Sequence, residues 1–138
     1  RQRSPASPSP QALCAPMARL TKAQRIEICA RVVHEAMRAY KIGLGQDVLP
    51  VWDKASADIR KSTIAGIEFR LKNPDAPLSA QHDQWMAERL GAGWRKGKVK
   101  DVKLKTHPSL VPYDKLPETE RRKDALIAEI VNALCGKL

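Results

Sequence analysis

Three kinds of side chain between residues 82 and 124 could do chemistry together. Trp85, Trp94 and Tyr113 offer flat aromatic faces, His82 and His107 offer imidazoles, and Arg89, Lys96, Lys98, Lys100, Lys103 and Lys105 offer positive charge. A purine ring stacked on tryptophan, with its phosphates held by arginine and lysine, would use the aromatic and cationic sets at once. Tyr40 is a further aromatic candidate in the N-terminal half. Trp85 and Arg89 stand four positions apart and therefore share a helix face, whereas Trp94 is equally suited to filling a small core. Catalysis has less to work with. The chain has no Gly-x-Ser-x-Gly elbow, Walker loop or carboxylate pair, and it is read as a binding protein that is not an enzyme. His107 and Asp101 could be written as a dyad, but a histidine in a tight His-Pro turn more often satisfies backbone groups, and that reading is preferred. His34, His82 and His107 lack metal-ligand spacing and cysteine partners, so neither a metal nor a cofactor is expected.

The elements that must position these groups read as helices. Thr21 to Gln24 forms a capping box, and Ile26, Ala30, Val33, Met37 and Tyr40 then fall on one face of a helix closed by Gly43-Leu-Gly45. A second helix is predicted from about Ser56 to Lys72, burying Ile59, Ile64, Ile67, Phe69 or Leu71 and stopped by Asn73-Pro74. Ser79 is read as the cap of a third helix, which carries His82, Trp85 and Arg89 and ends near Leu90 before Gly91, Gly93 and Gly97. His107-Pro108, Val111-Pro112 and Leu116-Pro117 make the following connector rigid and non-helical, because each residue before proline is pushed toward extended geometry. Ala125, Leu126, Ile127, Ile130, Val131 and Leu134 recur at helical spacing and predict a helix over 117–135, with Pro117 in its first turn. Only Val99 to Leu104 alternates like the arm of a short hairpin.

Composition bounds the rest. A chain of 138 residues with 43% hydrophobic content can bury one core, and it has no apolar run long enough to span a bilayer, so no membrane is expected. Residues 1–16 are rich in proline and serine, lack periodicity and precede Met17; they read as a vector remnant or upstream read-through rather than part of the fold. Without Arg1 and Arg3, 23 basic residues face 15 acidic ones, a balance compatible with phosphate-bearing partners. Cys14, Cys29 and Cys135 are scattered, make no disulfide framework and point to a reducing cytoplasm. The two halves also echo one another: His34-Glu-Ala-Met37 answers His82-Asp-Gln-Trp85, and Trp52-Asp53-Lys54 with Arg60 answers Tyr113-Asp114-Lys115 with Arg121, which suggests a pseudo-twofold module.

The run His82-Asp-Gln-Trp85, Gly93-Trp94, Gly97, Lys100-Asp101, Lys105-Thr-His107-Pro108, Pro112-Tyr113, Leu116-Pro117-Glu118 and Arg121-Arg-Lys-Asp124 resembles the ryanodine-receptor-type repeat (RyR) domain. The likeness is strict over 82–124 and looser over 27–134, where His34, Tyr40, Trp52 and the stretch from Ser62 to Ile67 are similar to small phage-encoded members. It implies a mainly α, single helical domain over 17–138, with about four helices, a proline-rich connector and a short β-hairpin. It also implies an adenine-nucleotide site near the His-x-x-Trp helix, so that His82, Trp85 and Arg89 face the ligand. The expected ligand-binding set is His82, Trp85, Arg89, Trp94, Lys96, Lys105, His107, Tyr113, His34 and Tyr40. Where the family commonly has Gly-Trp-x-Tyr-Gly, this chain has Gly93-Trp94-Arg95-Lys96-Gly97, and a cation in place of tyrosine would draw phosphate if that position lines the groove. The function implied is binding of a nucleotide-like small molecule without turnover, as in a phage protein that sequesters nucleotide signals of host defence in the host cytoplasm. Nucleic acid ranks second as a partner, a protein docked on the proline-rich connector third, and a homodimer would rebuild a paired groove.

Overall fold

Thr21 opens the first helix in the way its spacing from Gln24 predicts. Its hydroxyl accepts from the Gln24 amide at 3.1 Å while the Gln24 side chain accepts from the Thr21 amide at 2.9 Å, so two of the helix's orphan donors are satisfied reciprocally. The computed structural model describes residues 19–135, and the reading of residues 1–16 and Met17 lies outside them. Four α-helices follow: α1 (Lys22–Gly43), α2 (Ala57–Lys72), α3 (Leu78–Gly91) and α4 (Glu118–Ile130), the last continued by a π turn (Val131–Cys135). Short 3-10 turns at Trp52–Lys54 and Tyr113–Lys115 precede α2 and α4, and two-residue strands β1 (Arg95–Lys96) and β2 (Thr106–His107) lie between α3 and the second turn. The module is mainly helical. Both α2 and α4 pack against α1 and α3, closing the four helices into a ring.

The core follows from the apolar faces. Cys29, Ala30 and Val33 of α1 meet Trp52, Ile67 and Val131, with Ile26, Ile64, Leu71, Ile127 and Ile130 packed around them. Ser56 caps α2 through its hydroxyl, which accepts from the Ile59 amide at 3.2 Å. No helix among the described residues is long and apolar enough to cross a membrane.

Three details differ from the sequence reading, each for a physical reason. Helix α3 starts at Leu78, and Pro77 rather than Ser79 is its N-cap, with no side-chain cap bond; proline already holds φ at −63°, close to what helix entry needs. The expected hairpin is reduced to one antiparallel bridge, Asp101 with Thr106. β1 and β2 instead pair in parallel, Arg95 with Thr106 and Lys96 with His107, while Val99, Val102 and Leu104 stay exposed on the loop between them. Gly97 makes the pairing feasible, since a Cβ there would stand 2.6 Å from the Thr106 Cβ. Cys29, expected to be one of three scattered thiols outside any disulfide framework, is disulfide-bonded, a pairing that no spacing pattern in the sequence announces.

The α2–α3 junction holds a buried charge. Arg70 is 2% exposed, and its guanidinium donates to Gln81 Oε1 at 3.0 Å and to the Ala76 carbonyl at 2.6 Å, with longer bonds to the Pro74 and Asn73 carbonyls. Gln81 in turn donates to the Gly66 carbonyl. A cation at a helix C-terminus, satisfied by carbonyls rather than by a carboxylate, is stable there because the helix dipole points its negative end at it. Arg70→Ala is expected to cost about 2–4 kcal/mol, the scale for a buried, hydrogen-bonded charged side chain lost with its packing. The urea midpoint would read this loss. Gln81→Ala in the same chain is expected to cost about 1 kcal/mol more, because Gln81 has its own bond to the Gly66 carbonyl, while the shared Arg70–Gln81 bond is lost only once.

Candidate functional site

Two histidines organise the centre of the ring. His34 on α1 is hydrogen-bonded through Nε2 to the Pro50 carbonyl at 2.7 Å, and His82 on α3 through Nε2 to the Val111 carbonyl, also at 2.7 Å. A carbonyl only accepts, so each Nε2 carries a proton and donates it. Both carbonyls sit two residues ahead of a 3-10 turn, and the residues between match in backbone: Val51 at φ −55°, ψ 154° and Pro112 at φ −53°, ψ 148°. The helices behind the histidines end alike, with Gly45 at φ +70° and Gly93 at φ +90°. The echo between the halves is therefore geometric. It pairs Met37 with Trp85 and Lys41 with Arg89, while the loop carrying β1 and β2 has no counterpart in the first half.

Where the halves meet they enclose a cavity of about 280 Å³. His34, Met37 and Lys41 line it from α1, and His82, Trp85 and Arg89 line it from α3. Glu120, Lys123 and Asp124 of α4 form a further wall, and Lys100, Val102 and His107 of the long loop form a lip. An aromatic and imidazole wall runs along one side: the Trp85 ring lies 5.5 Å from His82 and 5.1 Å from His107, and Trp94 lies 6.5 Å from His107.

The charges in this cavity are under strain. Burial and the neighbouring Lys100 and Lys123 lower the Lys41 pKa to about 8. Lys100 belongs to an exposed loop residue, yet desolvation and the charges of Lys123 and Arg89 also hold its ammonium below the usual lysine range. Lys123 pairs with Glu120 at 2.7 Å, whereas Lys41 and Lys100 make no ion pair among the described residues. Burial lowers the pKa of His107 to about 4, so it is a neutral ring, and its Nδ1 accepts from the Ser109 amide at 3.0 Å. Asp124 is the opposite case. Burial and the nearby Glu120 raise its pKa to about 7, and its nearest polar partner, His82 Nδ1, stands 3.9 Å away.

The structure gathers His34, His82, Trp85, Arg89, Trp94 and His107 of the sequence-derived set around this cavity. Arg89 is 6% exposed and already bonded to Asp58 and Glu88 at 2.9 and 2.6 Å, with its guanidinium over the Trp94 ring. The other four candidates lie elsewhere. Tyr40 bonds the Thr119 carbonyl and so ties α1 to α4; Tyr113 lines a shallow groove beside Arg121 and Glu118; Lys96 is exposed on β1; and Lys105, at φ 53°, donates to the Ala92 carbonyl. The tyrosine-to-lysine change at Lys96 therefore adds no charge to the cavity. His107 does not pair with Asp101, whose carboxylate accepts from the Leu104 amide. Sequence reasoning did not single out Lys41, Lys123 or Asp124. The one signal for Lys41 was the echo itself, since it stands as far from His34 as Arg89 does from His82.

The raised Asp124 pKa fixes the sign of a pH effect. Protons bind this group more tightly in the folded chain than in the unfolded one, so its penalty is absent below about pH 4, grows as pH rises, and is complete above about pH 7. The groups acting on it are Glu120 and Lys123 on α4, Arg70 on α2, and Asp83 and His82 on α3. Asp124→Asn is expected to raise stability at pH 8 by about 1–3 kcal/mol and to leave it unchanged at pH 4. Melting curves of both proteins across that range would read the difference.

The model of the RyR domain family matches residues 77–136, the span that contributes α3, the loop lip and α4 to this cavity.

Proposed function

We propose that this chain, which belongs to the RyR domain family through its C-terminal half, binds a nucleotide-like anion in the cavity between its halves and does not turn it over. The observation that carries the reading is the position of Lys41: an ammonium with no ion pair, half-buried beside an aromatic wall, whose pKa is pressed down by two further lysines. Such an arrangement costs stability while the site is empty and is repaid when an anion arrives. The half-buried Trp85 supplies an edge and face for a base. A cavity of about 280 Å³ lies at the small end of the range for ligand sites, which suits a mononucleotide better than a dinucleotide. Neutral His107 and backbone-bonded Asp101 leave no acid–base pair at the lip, in keeping with binding rather than catalysis. Sequestration of nucleotide signals by a phage-encoded protein is the biological role that this binding would serve.

A second reading has one observation behind it. Lys96, Lys98, Lys103 and Lys105 are exposed on the loop outside the cavity, where they could contact the phosphates of nucleic acid.

A thermal-shift panel of nucleoside mono-, di- and cyclic phosphates, run at low and moderate salt beside a short DNA duplex, tests both. A shift with one nucleotide that survives added salt supports the cavity, since a ligand that binds only the folded state stabilises it by mass action. A shift with DNA alone that vanishes as salt rises favours the loop, and no shift with any nucleotide sinks the first reading. Lys41→Met separates binding from folding by sign. Because ionised Lys41 is disfavoured by its burial below about pH 8, removing it is expected to hold or raise the melting temperature of the free protein at pH 7. The same change is expected to weaken the nucleotide about tenfold or more, through loss of a charge-assisted contact. Trp85→Ala is expected to remove the nucleotide shift while leaving helical circular dichroism intact. Arg89→Ala is expected to lower stability itself, because Asp58 and Glu88 would lose their partner.

A further inference from the structure

Asp124 is 7% exposed, lines the cavity, and has no hydrogen-bond donor at contact distance. Buried carboxylates are ordinarily met by N–H or O–H groups of the protein, and one left without them costs free energy. Its neighbour does not supply the missing donor. His82 donates through Nε2 to the Val111 carbonyl, and its Nδ1, at 3.9 Å from Asp124 Oδ2, lies beyond hydrogen-bond distance. Lys123, the next residue on α4, is bonded to Glu120 and Gln46. The cavity thus presents a carboxylate without a donor at hydrogen-bond distance beside an imidazole, on the wall where Trp85 packs against His82.

On the reading that the cavity holds a nucleotide, we infer that Asp124 is a specificity-determining residue that selects a guanine-type base, by accepting two hydrogen bonds from the adjacent ring N–H and exocyclic amino group. A carboxylate has two coplanar acceptor oxygens, and guanine presents two parallel donors on one edge. Adenine presents one donor and one acceptor there, and its ring nitrogen would oppose a carboxylate oxygen, lone pair against lone pair. Hypoxanthine keeps the ring N–H but lacks the amino group. Discrimination of this kind is strong because the wrong base leaves a buried polar group unpaired.

The test is calorimetric titration of the full chain at pH 8 with guanosine, inosine, adenosine and xanthosine monophosphates, repeated on Asp124→Asn. The wild-type chain is expected to bind guanosine monophosphate about tenfold or more tighter than the inosine and adenosine compounds, the scale of one charged hydrogen bond. Asparagine replaces one acceptor by a donor, so the variant is expected to lose that preference and to bind the four compounds within a few-fold of one another, since each of these bases offers a donor beside an acceptor on that edge. Equal wild-type affinity for the guanosine and inosine compounds, or a guanine preference that survives in Asp124→Asn, overturns the inference while leaving nucleotide binding intact. Failure of all four to bind overturns both. If the variant does not fold, the wild-type comparison of guanosine with inosine and adenosine decides the matter alone.

Discussion

The hydrogen bond from an imidazole N–H to a carbonyl, made once by His34 to Pro50 and once by His82 to Val111, is the constraint on which the rest of the structure depends. Each bond ties the middle of one helix to the entry of the next, and it does so just ahead of a 3-10 turn whose residues are fixed in the same backbone conformation in both halves. A single bond of this kind contributes about 1 kcal/mol net, but a buried donor and carbonyl left unpaired would cost more than the bond is worth. The geometry is therefore held by the penalty for leaving it. It also fixes Nε2 as the donating nitrogen at both positions.

What the two pins create is a pair of similar half-shells that meet over dissimilar side chains. The first half lines its share of the cavity with Met37 and Lys41, the second with Trp85 and Arg89, and the second alone adds the loop with Lys100, Val102 and His107. Aromatic contact is concentrated on one side, and uncompensated ammonium groups come from α1 and the loop. Arg89, which fills the position equivalent to Lys41, is neutralised by Asp58 and Glu88 and braces Trp94. One member of the pair thus serves the fold and leaves the other unpaired. Charged groups disfavoured by their own surroundings are where local stability has been given up, as is common at sites that bind something.

How far the sequence reveals this depends on the range of the interaction. The starts of α1 and α2 were readable because Thr21, Gln24 and Ser56 bond backbone amides within one turn. His107 was readable for the same reason, its ring accepting from an amide two residues away. The start of α3 was misplaced by two residues because Pro77 enters the helix through its fixed φ and leaves Ser79 no capping role. The loop was misread as a hairpin arm because alternation reports side-chain direction but cannot report a parallel register with a distant partner. Arg70 escaped notice because its partners are carbonyls, which carry no sequence signature.

By itself, then, the sequence determined the helical class, the caps, the rigid proline connector and the internal echo, since all of these rest on short-range hydrogen bonding, fixed φ angles and the helical period. Only the tertiary structure decided which charges share one enclosure. Lys41, Lys100, Lys123 and Asp124 lie on three separate stretches of chain, and each reads alone as an ordinary surface charge. The shifted pKa values of Lys41, Lys100 and Asp124 come from the water excluded and the like charges gathered when the two halves close, and that is a property of distances in space rather than of spacing along the chain.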